Sequence, residues 1–561
     1  MNPLEFCWST ASAIAGKDHQ ALRVVLDEQL TYPRLGQDKR GFVLLLPLPK
    51  DEGSDLYALH GLYFDADEAS WPQIWRLFKA SLYHLSLHAA FSDFSLYVRW
   101  ARGKEPNAAT FCASLVEDYR VTLLGTTRWG GILEDIAYAN YIAGLRARDL
   151  QELDEPHAFA LSLLLELWGV LSPSQGAKPD GEVRGLAEAV RRLVQLSLED
   201  EDVPSCLQQA AQLVYNALGK RGRLREVPFL PHTEEHGPCT LFEDKLVEKD
   251  KNGHALLLSA YDALRLIPPG QEEATRQELE AREFFLTLQA RQERREAIRR
   301  RYSPLLLPTR LQGLSFPRSD YAMYLRTRSS LAGPIRTIRE QLKQIRSALE
   351  EREVVEEGHV DLQRAVQALA SQKPKKEFFT WQEPLRKDEA WAILLDASKS
   401  LAPLAQEVRG IATCLAEVAQ DVMPSSDRWA LYAFNSSLLV LKDFDEEYDL
   451  ESRARIGGLT QGSSTLLPDA IEVCSRALAA RPAEARILVV ASDGYAVGYE
   501  GIEQRLEASL KKAGKMGLLL LGIGIASRRL ENYFLINCPL QEPYQLMKYF
   551  VKSYFQLSSL F

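Results

Sequence analysis

The chain has 561 residues, too many for one hydrophobic core, and ordinary domain sizes call for about two to four compact units. Hydrophobic residues make up 46% and charged residues 25%, with a mean hydropathy of -0.20, which excludes a disordered or membrane-embedded composition. The net charge of -9 and pI near 5.7 remove any general attraction to phosphate backbones or anionic lipid, so no nucleic-acid partner is expected.

The seven cysteines, at positions 7, 112, 206, 239, 414, 474 and 538, contain no CxxC pair. An odd count of scattered thiols fits a reducing compartment, so a cytoplasmic protein is expected. The opening MNPLEFCWSTASAIAG lacks the basic region of a secretory signal. The longest apolar runs, such as Met516 to Ala526, fall short of the roughly 18 to 20 residues that cross a bilayer, and no membrane span is expected.

In chain order, residues 1–222 read as a mostly helical N-terminal domain. Trp75 to Phe91, Ala109 to Leu124, His157 to Val170 and Gly185 to Leu198 repeat apolar residues at three- and four-residue spacing. Short strands are expected near Gly41 to Pro47 and Asp55 to Phe64, and a solvated loop at SPSQGAKPDGE, 172 to 182. Residues 223–388 read as an irregular segment followed by a long helical linker region. PFLPHTEEHGPCT marks the break, and Glu272 to Arg301 reads as a surface-exposed helix of alternating charges. Leu331, Ile335, Ile338, Leu342, Ile345 and Leu349 form a narrow seam suited to packing on the same chain. EEREVVEEGHVD at 350 to 361 and KPKK at 373 to 376 read as connecting stretches.

Residues 389–561 change grammar. AWAILLD, RWALYAF, RILVVAS and MGLLLLGIGI are apolar strands separated by helices over Leu401 to Gln420, Thr465 to Ala479 and Ile502 to Ala513. That alternation predicts a parallel sheet covered on both faces, an α + α/β architecture for the whole chain, with ligands bound at the carboxyl ends of the strands. Asp396, Ser398 and Ser400 lie just past the first strand, and Asp493 lies just past RILVVAS, followed by Gly494 for a tight turn. Thr465 opens the intervening helix, with Thr460, Ser463 and Ser464 in the same loop. Two converging carboxylates repel unless a cation or protons intervene, and hydroxyls with carboxylates suit Mg2+ (or Mn2+). No histidine follows His359, which leaves this domain without an imidazole ligand or base. Two simpler readings stand beside the metal site: serines that cap the following helix, and a phosphoryl-transfer aspartate, although Ser398 occupies the place where that chemistry usually has a second acid.

D-x-S-x-S, a later loop threonine and a later Asp-Gly resemble the metal-ion-dependent adhesion site (MIDAS) of von Willebrand factor A (VWA) domains. The resemblance spans roughly 389 to 561 and implies a Rossmann-like VWA fold. It also implies metal ligation by Asp396, Ser398, Ser400 and Thr465, with Asp493 direct or through water, and one position open to a partner's carboxylate. LVEDYRV at 115 to 121, YAMYLRTRSSLAGPIRTIREQL, GHVDLQRAVQAL, LKKAGKMGLLLLGIGI and LENYF are similar to the group that includes NorD, CbbO-type rubisco activators and CobT-type chelatase subunits. That resemblance implies a non-enzymatic adaptor that works with a MoxR-type AAA+ ATPase to remodel a target, possibly a metalloenzyme, that presents an Asp or Glu. The chain contains no GxxxxGK[ST] loop, so ATP hydrolysis is expected from a partner.

His84 and His88 share one helical face, with Glu117 and Asp118 on a later helix, which opens an alternative reading as a metallohydrolase. Leu85 stands where a zinc peptidase has its glutamate base, so packing histidines are the expected outcome. A plain scaffold with a vestigial metal site is the third reading.

Overall fold

The first strands of the chain, Leu22–Asp27 (β1), Arg34–Asp38 (β2) and Gly41–Pro47 (β3), pair locally, the apolar β1 and β3 in parallel and the more polar β2 antiparallel to β3. They belong to a computed structural model that describes residues 2–53, 56–170, 181–199, 203–234, 271–349, 354–355, 359–360, 362–370, 379–380, 388–462, 464–534, 536–540 and 550–554. The chain divides into two compact units, Met1–Glu293 with Arg318–Ala322, and Arg294–Pro317 with Met323–Phe561. The expected connecting stretches at 350 to 361 and 373 to 376 lie largely outside the described residues, as does the expected loop at 172 to 182.

In the first unit, Lys50–Gly53 (β4), Leu56–Leu59 (β5) and Leu62–Asp65 (β6) form a small antiparallel sheet. The helices are Pro3–Ala15 (α1), Trp71–Phe91 (α2), Ser95–Trp100 (α3), Pro106–Arg128 (α4), Gly130–Leu145 (α5), Glu155–Trp168 (α6), Gly181–Glu199 (α7) and Val203–Gly219 (α8). Helix α2 is apolar almost all round, as a central helix must be, and buries residues on every side including His84 and His88. Helix α4 packs against it closely: a Cβ at Gly125 would lie 2.7 Å from the Leu87 side chain, so glycine sets the approach of the two helices. The four expected helices are present; α1, α3, α8 and the weakly amphipathic α5, which opens on two glycines, were not among them.

Gln271–Leu306 (α9) is a single long helix whose residues fall in both units. Its expected exposure is only partial, because Ala281, Phe284, Phe285, Ile298 and Tyr302 are buried. The alternating charges stabilise its outer side while the aromatic pair drives the inner side into the core. Leu314–Ser315 (β7) and Ser319–Asp320 (β8) follow, and β8 joins the first sheet by pairing antiparallel with β1. There Arg23 Nε and Nη2 donate to Asp320 Oδ2 at 3.0 and 2.5 Å, and Nη1 donates to Asp38 at 3.2 Å.

After Arg294–Pro317, the second unit continues with Tyr321–Ser330 (α10), whose first two residues belong to the first unit, and Ala332–Leu349 (α11). Ile335, Ile338 and Leu342 of the predicted seam are buried within this unit. Val354–Val355 (β9), His359–Val360 (β10) and Phe379–Thr380 (β11) pair as a minor sheet near Leu362–Ala370 (α12) in sequence. The main sheet uses Glu389–Asp396 (β12), Trp429–Phe434 (β13), Leu438–Lys442 (β14), Ala485–Ser492 (β15), Leu518–Ile525 (β16) and Ile536–Leu540 (β17). Its helices are Ala405–Val422 (α13), Leu450–Gly457 (α14), Leu467–Ala479 (α15) and Ile502–Lys515 (α16).

Strand order is β17-β16-β15-β12-β13-β14-β7, and every pair is parallel except β13 with β14. The sheet is thus mixed where a wholly parallel one was expected: β13 and β14 are joined by a three-residue turn, too short for the crossover that parallel pairing needs. All eight residues of β12 are buried, with Ala390, Ala392 and Leu394 packing in the cluster that contains α15 and α16 residues. Both faces are covered, which explains why the strand reads as a continuous apolar run.

Helix α13 also buries a carboxylate. Glu417 accepts from the Tyr324 hydroxyl, from Arg328 Nε at 2.8 Å and from the Tyr448 hydroxyl at 3.1 Å. Burial alone would raise its pKa, but the hydrogen bonds from Tyr324 and Arg328 prevail and hold it below the usual range. A depressed carboxylate stabilises the fold above its unfolded pKa and loses that contribution as pH falls through the folded value. Glu417→Gln is therefore expected to cost about 1–3 kcal/mol at pH 7. Urea titrations at descending pH should show that deficit shrinking below about pH 4, and a constant deficit would refute the charge assignment.

Candidate metal centre at the strand ends

Strand β12 sits between β15 and β13, all parallel, so the loops after these strands emerge side by side. Asp396 ends β12 with no exposed surface. Its Oδ1 accepts from the Ser398 amide at 2.9 Å, and its Oδ2 accepts from the Ser492 hydroxyl at 2.5 Å. Ser398 Oγ lies 2.9 Å from Ser400 Oγ, and Ser400 Oγ donates to Asp493 Oδ2 at 2.8 Å. The other oxygen of Asp493 accepts from the Tyr495 amide at 2.9 Å. Gly494, at φ 79°, supplies the left-handed turn that carries the chain back after Asp493.

The structure thus brings Asp396, Ser398, Ser400 and Asp493 into one hydrogen-bonded group. Thr465 is held beside this region through its backbone: its amide donates to Val497 O at 3.0 Å, while the Gly462 amide of the same loop donates to Ala397 O at 2.7 Å. The Thr465 side chain is 4% exposed, whereas Thr460 is exposed and Ser463 lies outside the described residues. Ser398 starts the 3-10 turn Lys399–Leu404 without a side-chain cap bond, so capping does not account for its position. Ser492 is a participant that the sequence reading overlooked; the signal was a hydroxyl at the last position of an otherwise apolar strand.

Burial pushes the Asp396 carboxyl up to about 6, against the hydrogen bonds from Ser398 and Ser492, and the nearby Asp493 adds to the rise. A buried carboxylate linked through Ser398 and Ser400 to a second carboxylate, with side-chain oxygens as the available ligand atoms, fits a small hard cation such as Mg2+. Exposure increases from Asp396 through Asp493, at 8%, to the exposed Ser400, so the group opens at one side.

His84 and His88 lie elsewhere, on α2 of the first unit. Asp118 joins them and Glu117 does not: Glu117 accepts from Arg120 Nη2 at 2.6 Å and from the Tyr97 hydroxyl at 3.1 Å.

No protein-family model matches the chain. An uncharacterized protein of Pseudomonas aeruginosa is 32% identical over 126 residues, which cover 21% of this chain and 21% of that protein. The match thus spans about a fifth of the relative. Among solved structures, a von Willebrand factor type A protein from Catenulispora acidiphila aligns with 30% of this chain and 42% of its own, at 15% identity and a TM-score of 0.25. Among the described residues no helix is long and apolar enough to cross a membrane.

Proposed function

We propose that the second unit is a VWA domain and that the chain is a non-enzymatic adaptor binding a carboxylate of its partner at Asp396, Ser398, Ser400, Thr465 and Asp493. The observation that carries this reading is the continuous chain of hydrogen bonds from Ser492 through Asp396, the Ser398 amide and hydroxyl, and Ser400 to Asp493, drawn from two neighbouring strand ends. Mg2+ or Mn2+ held by these oxygens supplies positive charge to an incoming Asp or Glu. Asp396 anchors the site from its buried side, the two serines present neutral oxygens, and Asp493 closes the opposite side. Tyr495 and Val497, 50% and 62% exposed, border the site with apolar surface that a docking protein would cover.

By the resemblance to the NorD, CbbO and CobT group, the adaptor works with a MoxR-type AAA+ ATPase to remodel a target protein, with a cytoplasmic location. The test uses full-length wild type and Asp396→Ala. Calorimetric titration with Mg2+ and Mn2+ is expected to show binding that the variant lacks. Pull-down of a MoxR-type ATPase and its target from the same genome is expected to weaken at least ~10-fold with the variant, a loss of about 1.4 kcal/mol. Equal capture by both proteins removes the site from the function.

A further inference from the structure

The interior of the first unit holds a second group of ligand atoms, built from three separate parts of the chain. His84 and His88, one helical turn apart on α2, present Nε2 atoms 3.1 Å from each other. His84 Nε2 is 2.9 Å from Glu234 Oε2. His88 Nε2 is 3.2 Å from Glu234 Oε1 and 3.3 Å from Asp118 Oδ1. One ligand atom from each of the four residues lies within 4.8 Å of all the others, and all four residues are buried.

Hydrogen bonding alone does not satisfy this arrangement. Each Nε2 carries one proton or one lone pair, yet His88 Nε2 faces three ligand atoms. Among the described residues, nothing donates a hydrogen bond of acceptable geometry to Asp118 Oδ1, in a residue 6% exposed. A divalent ion at the centre would take up all four lone pairs together. Metal–ligand bonds of about 2.0–2.2 Å in tetrahedral geometry place neighbouring ligands roughly 3.3–3.6 Å apart, a few tenths of an ångström beyond the observed 2.9–3.3 Å contacts, so binding needs only a small outward shift.

The surroundings match as well. His88 Nδ1 is 2.8 Å from Ser92 Oγ, an outer hydrogen bond of the kind that fixes a ligating imidazole with its lone pair on Nε2. Glu234 lies in an irregular stretch in which Phe229, Leu230, His232 and Thr233 are also buried. An irregular buried segment needs something besides backbone pairing to hold it, and a metal bond through Glu234 would provide it.

We propose that His84, His88, Asp118 and Glu234 form a closed structural site for a divalent transition-metal ion, with Zn2+ the best fit to two imidazoles and two carboxylates. The ion ties the chain after α8 to helices α2 and α4. This site is independent of the oxygen-only group on the second unit.

Full-length protein purified without chelator or added metal is expected to carry about one zinc per chain by plasma mass spectrometry. Chelator treatment is expected to lower its melting temperature, and added Zn2+ to restore it. Glu234→Gln, which keeps the side-chain volume, is expected to weaken Zn2+ binding more than ~100-fold, and Ser92→Ala by ~10–100-fold. Asp396→Ala is expected to keep its zinc. Circular dichroism checks that each variant folds. One equivalent of iron or manganese that Glu234→Gln loses upholds the site and changes only the ion. Metal-free wild type that binds no added Zn2+, or a folded Glu234→Gln with undiminished affinity, overturns the proposal.

Discussion

Arg455→Met is expected to destabilise the second unit by about 3–5 kcal/mol, the usual consequence of leaving a buried charge without its partner. Arg455 is 3% exposed and Glu446 is 7% exposed. The guanidinium grips the carboxylate with two bonds, Nη2 to Oε1 at 2.6 Å and Nη1 to Oε2 at 3.1 Å. Glu446 Oε2 also accepts from the Asp443 amide at 2.8 Å, so the pair anchors the turn after β14. Methionine fills much of the volume but supplies no donor. Urea unfolding should show a lower midpoint at unchanged m-value, and adding Glu446→Leu should recover most of the loss because no charge is then stranded. A single variant as stable as wild type would mean that water reaches Glu446.

Trp75→Ala should cost the first unit a similar amount, about 3–5 kcal/mol, by opening a cavity in the wall of α2. The indole has no exposed surface and packs at centroid distances of 4.5 Å from Phe284, 4.9 Å from Phe6 and 5.8 Å from Phe78. Its Nε1 donates to Glu280 Oε2 at 3.3 Å, a bond lost with the ring. Trp75→Phe, which retains most of the apolar volume, should lose clearly less, measured by the same urea titration. Equal losses for both variants would assign the effect to the hydrogen bond rather than to packing.

The sequence made the strand-end group legible because every feature there is local. Asp396 and Asp493 each follow an apolar run directly, so strand ends and polar ligands could be read from adjacent residues. Ser492 escaped notice because a lone hydroxyl inside RILVVAS looks like part of the strand. β14 and β17 were missed for their length and composition: LLVLK is five residues long, and INCPL contains a proline that strand patterns disfavour. Of the four-residue cluster of the first unit, three residues were legible and Glu234 was not. The i,i+4 histidines on α2 and Asp118 on α4 follow from helical spacing. Glu234 lies 150 residues from His84, in a stretch without periodicity, and only tertiary packing assigns it a partner. That stretch read as a break between domains because loop composition signals solvent exposure, whereas residues 227–234 of it are buried. The same limit applied to α9, whose charge pattern described its outer side and concealed Phe284 and Phe285.

The main sheet ends beside β14 in a strand of two residues, Leu314 and Ser315, joined in parallel to Leu438 and Leu439. So brief a border offers another chain almost no ladder of amides to extend, and four of the five residues of β14 behind it are buried. Short edge strands are one means by which sheet proteins resist edge-to-edge aggregation. The segment Arg294–Pro317 therefore protects this side of the sheet from self-association, and a truncation that removed Leu314 and Ser315 would bare the sticky margin of β14.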